Sequence, residues 1–204
     1  MSNELKSRLG LPTECLLLLI SGGGHGSRTV NQLILEISPE LLAKNPSLWL
    51  VHVTGEGHAD NISTQYSHKL SADTRKRVKV IGFSKQFSDY TAAADLVVAR
   101  AGATTLAELA LLKKPAVIIP SPFLAGGHQL KNAEELTTKQ ATEVLPNDVS
   151  PQKLFKVIDG LIQNKQRREQ LAHNIGALSQ PQAANKIADI LLEIAEQKNV
   201  SKAE

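Results

Sequence analysis

Short apolar runs alternate with helical patterns along the whole chain. Residues 15–20, 48–54, 78–81, 96–99, 116–119 and, more weakly, 142–145 read as strands. Each stops at a break: Gly22, Gly55, Gly82, Gly102, Pro120 and Pro146. Runs that are apolar on both faces and spaced by helices predict a parallel sheet covered on both sides. Between them, residues 31–44 place Leu33, Ile34, Ile37, Leu41 and Leu42 on one stripe. Residues 104–113 do the same with Leu106, Leu109, Ala110 and Leu112, and Lys113-Lys114-Pro115 closes that helix. Ser150 caps a third helix, with Pro151 at its first position and Leu154, Val157, Ile158, Leu161 and Ile162 at helical spacing. A last helix, from 182 to about 198, lines up Ile187, Ile190, Leu191 and Ile194. The expected fold class is α/β: one doubly wound Rossmann-like domain over 13–198, with about six parallel strands and a tail at 199–204. Ligands of such sheets bind at the carboxyl ends of the strands.

Composition narrows the classes. With 204 residues, 42% of them hydrophobic, the chain can bury one sizeable α/β core. A net charge of +3 suits an anionic ligand but is too small to imply nucleic acid. Aromatics at 3% also argue against base-stacking platforms. The basic cluster Arg75-Lys76-Arg77 with Lys79 reads as a solvated helix end before a strand. Cys15 is the sole cysteine and sits in an apolar run, so it reads as core. That excludes a disulfide framework or thiolate metal site and fits a reducing cytosol. The opening residues show no secretory pattern, and run 15–20 is far below the ~20 residues of a membrane span.

The chemistry gathers in the strand-to-helix loops. The first is Ser21-Gly22-Gly23-Gly24-His25-Gly26-Ser27-Arg28. A P-loop needs Lys-Ser or Lys-Thr after its last glycine, and here Ser27-Arg28 follows. A dinucleotide fingerprint breaks too: its last glycine would fall on Ser27 or Thr29, although Glu56 could serve as the ribose acid. The third reading needs only backbone amides at a helix start, which hold a diphosphate without any lysine. Against it stands a purely structural role, tight strand–helix packing.

A second constellation lies in "DLVVARAGATTLAELALLKKPAVIIPSPFLAGGHQLKNA", residues 95–133. Glu108, early in its helix, can accept both hydroxyls of a ribose, or be an exposed acid favoured by the helix dipole. Arg100 either holds the loops together or approaches the phosphates. Gln129 can donate and accept at once, which suits sugar hydroxyls, and Asn132 shares its helix face. Capping by His128 and surface exposure of Asn132 are the plainer alternatives.

Three motifs in this order resemble the C-terminal half of family 28 glycosyltransferases, which have the two-domain GT-B fold. They are Gly22 to Arg28 with Asn31, Arg100-Ala101-Gly102-Ala103 with Glu108, and His128-Gln129 with Asn132-Ala133. The likeness runs from about Leu9 to the last helix. It implies diphosphate binding by Gly23, Gly24, His25, Gly26 and Arg100. It implies uridine binding by Phe83 (over the uracil, or else a core residue), the Ser84 backbone and Glu108. It also implies sugar binding by His128, Gln129 and Asn132. The family's peptidoglycan branch implies inverting transfer of N-acetylglucosamine from UDP-GlcNAc to a lipid-linked muramoyl-peptide (undecaprenyl-diphospho-MurNAc-pentapeptide), with no cofactor and no metal. In that branch the acceptor site and the general base belong to an N-terminal domain, so the catalytic residue in this chain is unknown.

Residues 1–12 then resemble the remnant of an inter-domain linker. The chain alone is expected to bind UDP and UDP-sugar without transferring sugar, and no nucleic-acid partner is expected. The complete enzyme would be cytoplasmic, peripheral at the inner face of the membrane. One departure stands out: Gly24-His25 occupies the place of the branch's usual Ser-Gln. A protonated His25 beside a diphosphate could stabilise the leaving group. The change keeps open a glycolipid synthase using UDP-glucose or UDP-galactose. A separate, non-catalytic donor-binding subunit working with a membrane-anchored chain also stays open.

Overall fold

All six runs read as strands form one sheet in the computed structural model, which describes residues 2–123 and 125–200. The chain runs α1 (Ser2–Arg8), β1 (Leu16–Ser21), α2 (Arg28–Lys44), β2 (Leu48–Val53), α3 (Ala59–Lys69), α4 (Ala72–Arg75) and β3 (Val78–Ile81). It continues with α5 (Phe87–Ala93), β4 (Leu96–Ala99), α6 (Ala103–Leu111), β5 (Ala116–Ile118), α7 (His128–Thr138) and β6 (Glu143–Val144). Three helices follow: α8 (Pro151–Gln163), α9 (Lys165–Gly176) and α10 (Ala183–Val200).

Every pairing is parallel, in the order β3-β2-β1-β4-β5-β6. The chain moves outward from β1 to β3, then returns to β4 on the other side. The switch point therefore lies between β1 and β4, and a crevice opens there at the carboxyl edge. The register brings Ser21, Val53 and Ala99 level at that edge.

The pleat of β1 divides the core. Leu18 and Ile20 face α2 and α8 with Ile34, Leu41, Leu154 and Ile158. Leu17 and Leu19 face the opposite layer with Tyr90, Leu109, Leu136 and Ile175. Leu17, Leu18, Leu19 and Ile20 are all fully buried, which is why this run carries no polar alternation. Ser150 caps α8 by accepting from the Lys153 amide, ahead of Pro151.

Four features add to or depart from the expected pattern. Residues 1–12, likened to a linker remnant, pack onto the domain from Ser2 onward. Lys6 Nζ donates to Cys15 O (2.7 Å) and Asp95 Oδ2 (2.8 Å), and Leu9 and Leu11 enter the core. The basic cluster does end a helix, yet it is not simply solvated. Arg77 donates to the Leu42, Asn45, Pro46 and Leu48 carbonyls at the end of α2, and Arg75 donates to Val78 O. Helices α3 and α9 went unread because each buries only two side chains, Ile62 with Tyr66 and Leu171 with Ile175. Such a narrow stripe leaves almost no periodic signal. Finally, the stripe of α10 forms but is not core: Ile187, Ile190, Leu191 and Ile194 are 47–61% exposed. Of the tail placed at 199–204, residues 199 and 200 belong to α10, and 201–204 lie outside the described residues.

Candidate functional site

The site starts from the end of β1. Ser21 Oγ accepts from the Gly23 amide (3.2 Å), and Gly26 N–H closes the turn onto Gly23 O (2.9 Å). Gly26 has φ +77°, and a Cβ there would lie 1.9 Å from the Thr54 carbonyl oxygen, so only glycine fits. Ser27 then caps α2, accepting from the Val30 amide (3.3 Å). The loop's amides and the positive end of a 17-residue helix thus share one place.

A cleft of about 330 Å³ opens beside it, lined by Ser21, Gly23, Gly24, Val53, Phe83, Ser84, Phe87, Thr104, Thr105 and Glu108. This volume is at the small end of the range for small-molecule sites. The cleft sits at the switch point, between the loops after β1, β3 and β4. Gly23 and Gly24 are at one end, and Phe83, Ser84 and Glu108 complete it. Phe83 is 58% exposed, so it is not core, and it lines this cleft and its neighbour. Ser84 lines the cleft too, and its Oγ accepts from the Gln86 amide (3.0 Å).

Glu108 is the most telling wall residue. Its Oε1 is closed to solvent and accepts no hydrogen bond among the described residues. A carboxylate oxygen left so is costly, and such groups regularly mark a missing donor.

The other expected residues fall elsewhere. His25 is exposed and lines an adjoining cleft of about 520 Å³ with Gly24, Glu56, Gly57 and Phe83. Arg100 is 8% exposed and holds the loops together. Nε and Nη2 reach Ser27 Oγ, while Nη1 reaches Ile119 O, Pro120 O and Asn147 Oδ1. This is the first of its two readings, and burial lowers its pKa from the ordinary arginine value. Gln129 Oε1 accepts from the Ser121 amide (2.8 Å), and Asn132 Nδ2 donates to Ala101 O (3.0 Å). Asn132 lines a different cleft, between α6, α7 and α9, with Leu106, Leu136 and Ile175. His128 stands exposed at the start of α7, its ring over Gly126. None of these three reaches the cleft of the glycine loop.

Sequence reasoning missed Thr104 and Thr105, in the first turn of α6, and Phe87 at the start of α5. The pair of threonines directly after Arg-Ala-Gly-Ala was an available signal, since hydroxyls in a first turn face the same ligand as the amides.

A doubly wound parallel sheet with a glycine loop and a cleft at its switch point defines a Rossmann-like ligand-binding domain. More narrowly, the chain belongs to glycosyltransferase family 28: the model of that family's C-terminal domain matches residues 17–191. It is 32% identical over 188 residues to a UDP-N-acetylglucosamine--N-acetylmuramyl-(pentapeptide) pyrophosphoryl-undecaprenol N-acetylglucosamine transferase of Desulfitobacterium hafniense, covering 92% of this chain and 51% of that one. A protein of the same name from Anaeromyxobacter dehalogenans is 34% identical over 183 residues, covering 89% and 46%. The crystal structure of Acinetobacter baumannii MurG superposes with a TM-score of 0.72 at 24% identity, over 93% of this chain and 53% of that chain. The chain spans about half the length of the curated relatives it matches.

Proposed function

We propose that this chain is the donor-binding half of an inverting glycosyltransferase that uses UDP-N-acetylglucosamine. The acceptor is the 4-hydroxyl of a lipid-linked muramoyl-peptide, as in peptidoglycan synthesis. The observation that carries the reading is Glu108 Oε1, unpartnered among the described residues, at the wall of a nucleoside-sized cleft that Gly23 and Gly24 of the glycine loop also line. A ribose supplies two hydroxyl donors to such a carboxylate. Phe83 then covers the uracil, the Ser84 backbone reads its edge, and the diphosphate rests on the Gly23–Gly26 loop and the start of α2. The names of the relatives support the choice of sugar and acceptor.

In the reaction, a bond forms between the acceptor oxygen and the anomeric carbon as the bond from that carbon to the diphosphate breaks. The acceptor's proton passes to a base outside this chain. Negative charge develops on the departing UDP, where loop amides and the helix dipole meet it, so no divalent cation is assigned. His25, on the open side of the loop, is placed to add positive charge when protonated. By the family resemblance, His128 and Gln129 contact the donor sugar, with Asn132 beside them.

Among the described residues no helix is long and apolar enough to cross a membrane. The complete enzyme meets its lipid-linked acceptor peripherally, at the cytoplasmic face. Titration calorimetry on the chain tests the reading. UDP and UDP-GlcNAc should bind equally well with and without EDTA, with no sugar transferred. A folded chain that gives no heat with either ligand overturns it.

One observation favours the second reading, a separate binding subunit that works with another chain. The apolar stripe of α10 is exposed, and such a stripe is the usual mark of a surface that a partner covers. An in-frame glycine-rich Rossmann-like half upstream of Met1 would decide against it.

A further inference from the structure

A polar chain runs through the core directly beneath the glycine loop. His52, next to the carboxyl end of β2, is fully buried, as are Tyr66 and Ser38, and Asn31 is 2% exposed. Asn31 Nδ2 donates to the Thr54 carbonyl (3.0 Å). That bond assigns the amide, so Asn31 Oδ1 faces His52 Nε2 at 3.0 Å and this nitrogen carries the ring proton. His52 Nδ1 is then the acceptor for the Tyr66 hydroxyl at 2.9 Å. Ser38, 3.5 Å from that hydroxyl, donates to Ile34 O within its own helix. Each donor meets one acceptor, and the direction of every bond follows from the first.

The end of this chain is where the loop rests. Thr54 O is the atom that a Cβ on Gly26 would strike, and a Cβ on Gly55 would lie 2.4 Å from His25 O. The His25–Gly26 end of the loop therefore lies directly against the Thr54–Gly55 peptide, while Gly23 and Gly24 stand clear of it. Asn31 itself sits in the first turn of α2, where its N–H bonds Ser27 O. One side chain thus ties the helix start to the strand end between which the loop is slung.

We propose that His52 and Tyr66, acting through Asn31, are positioning residues that hold the glycine loop in the shape that receives the diphosphate. They touch no ligand. The inference rests on the donor-binding reading above. Burial drives the His52 pKa down to about 3, so the ring is neutral and the direction of the bonds does not reverse near neutral pH. An apolar residue at 52 would fill the same space but could not fix Asn31.

The test separates diphosphate from nucleoside. Calorimetry on the full chain measures uridine and UDP, and the ratio of their dissociation constants reports what the diphosphate adds. In Asn31→Ala and His52→Phe that ratio should fall by about tenfold, with uridine binding unchanged. Tyr66→Phe, the mildest change, should lower it by about threefold. A general loss of stability would weaken both ligands together and leave the ratio alone. Independently of any variant, ¹⁵N shifts of His52 in the unaltered chain should report the Nε2–H tautomer from pH 8 to pH 5. Folded variants with an unchanged ratio, or an Nδ1–H tautomer, overturn the relay. If the unaltered chain binds no UDP, the donor-binding reading falls with it; if it does and the ratios stay constant, only the relay falls.

Discussion

Arg100 donates from Nη2 and Nε to the hydroxyl of Ser27, at 2.7 and 3.1 Å. The end of β4 is thereby clasped to the cap of α2, and with Nη1 on Ile119 O and Pro120 O the loop after β5 joins them. Two strand ends and a helix cap are held by one guanidinium. Arg100→Ala should cost about 2–3 kcal/mol of stability, since it strands buried acceptors. Arg100→Lys should recover little of it, because an ammonium keeps the charge but not the fork. Urea denaturation of the three proteins checks this; full recovery in the lysine variant would mean that charge alone matters.

Glu108→Ala should weaken UDP binding by about 1–3 kcal/mol, the range for lost charge-assisted hydrogen bonds. Stability should hold or rise, since the removed oxygen has no hydrogen-bond partner among the described residues. Calorimetry with UDP and thermal unfolding without it measure the two sides. A variant that is less stable yet binds UDP normally would make Glu108 structural.

Gly26→Ala tests the loop itself. Its φ of +77° disfavours a side chain, and the Cβ would collide with Thr54 O. UDP affinity should drop at least tenfold, about 1.4 kcal/mol, as the loop lifts off the strand end. Gly24→Ala, with nothing within 4 Å of its Cβ, should leave the unliganded fold unchanged and serves as the control. Thermal unfolding of both variants, read beside UDP titrations, distinguishes them.

The pH dependence of stability carries the sign of a buried neutral histidine. His52 titrates near 3 in the folded chain and near 6.5 unfolded. Between those values the unfolded state binds the extra proton, so this contribution is full above pH 6.5 and is lost as pH falls towards 3. The loss should approach about 1.4 kcal/mol per pH unit in that window. His52→Phe should flatten the profile measured by urea denaturation from pH 7 to pH 4. An unchanged slope would mean that His52 is protonated in the fold.

The exposed stripe of α10 gives a prediction of no effect. Ile190→Ser with Leu191→Ser should leave the melting temperature of the chain within about 1 °C, because neither side chain enters either core layer. A clear loss would show that α10 packs on the domain in solution.

The strands were legible because β1, β2, β4 and β5 are buried on both faces, and a run with no polar side is the plainest pattern a sheet can write. The carboxyl edge where a ligand binds followed from the alternation of strand and helix, while the switch point came from the strand order. Within the site, Gly23, Gly24, Phe83, Ser84 and Glu108 were named from the sequence and do meet at one cleft. The glycines and Glu108 are tied to local needs, a turn and a helix start, that neighbouring residues reveal, whereas Phe83 and Ser84 came from the family resemblance. The unpaired state of Glu108 Oε1 and the relay through His52 were not visible, and the sequence left the clasp of Arg100 as one of two open readings. Each depends on which atoms from distant segments arrive within hydrogen-bond reach, as when Arg100 meets Ser27 and Asn147. The apolar period of α10 likewise marked a helix but not what it packs against. Sequence spacing sets the face a side chain occupies on its own element; only the packing of elements decides what that face meets.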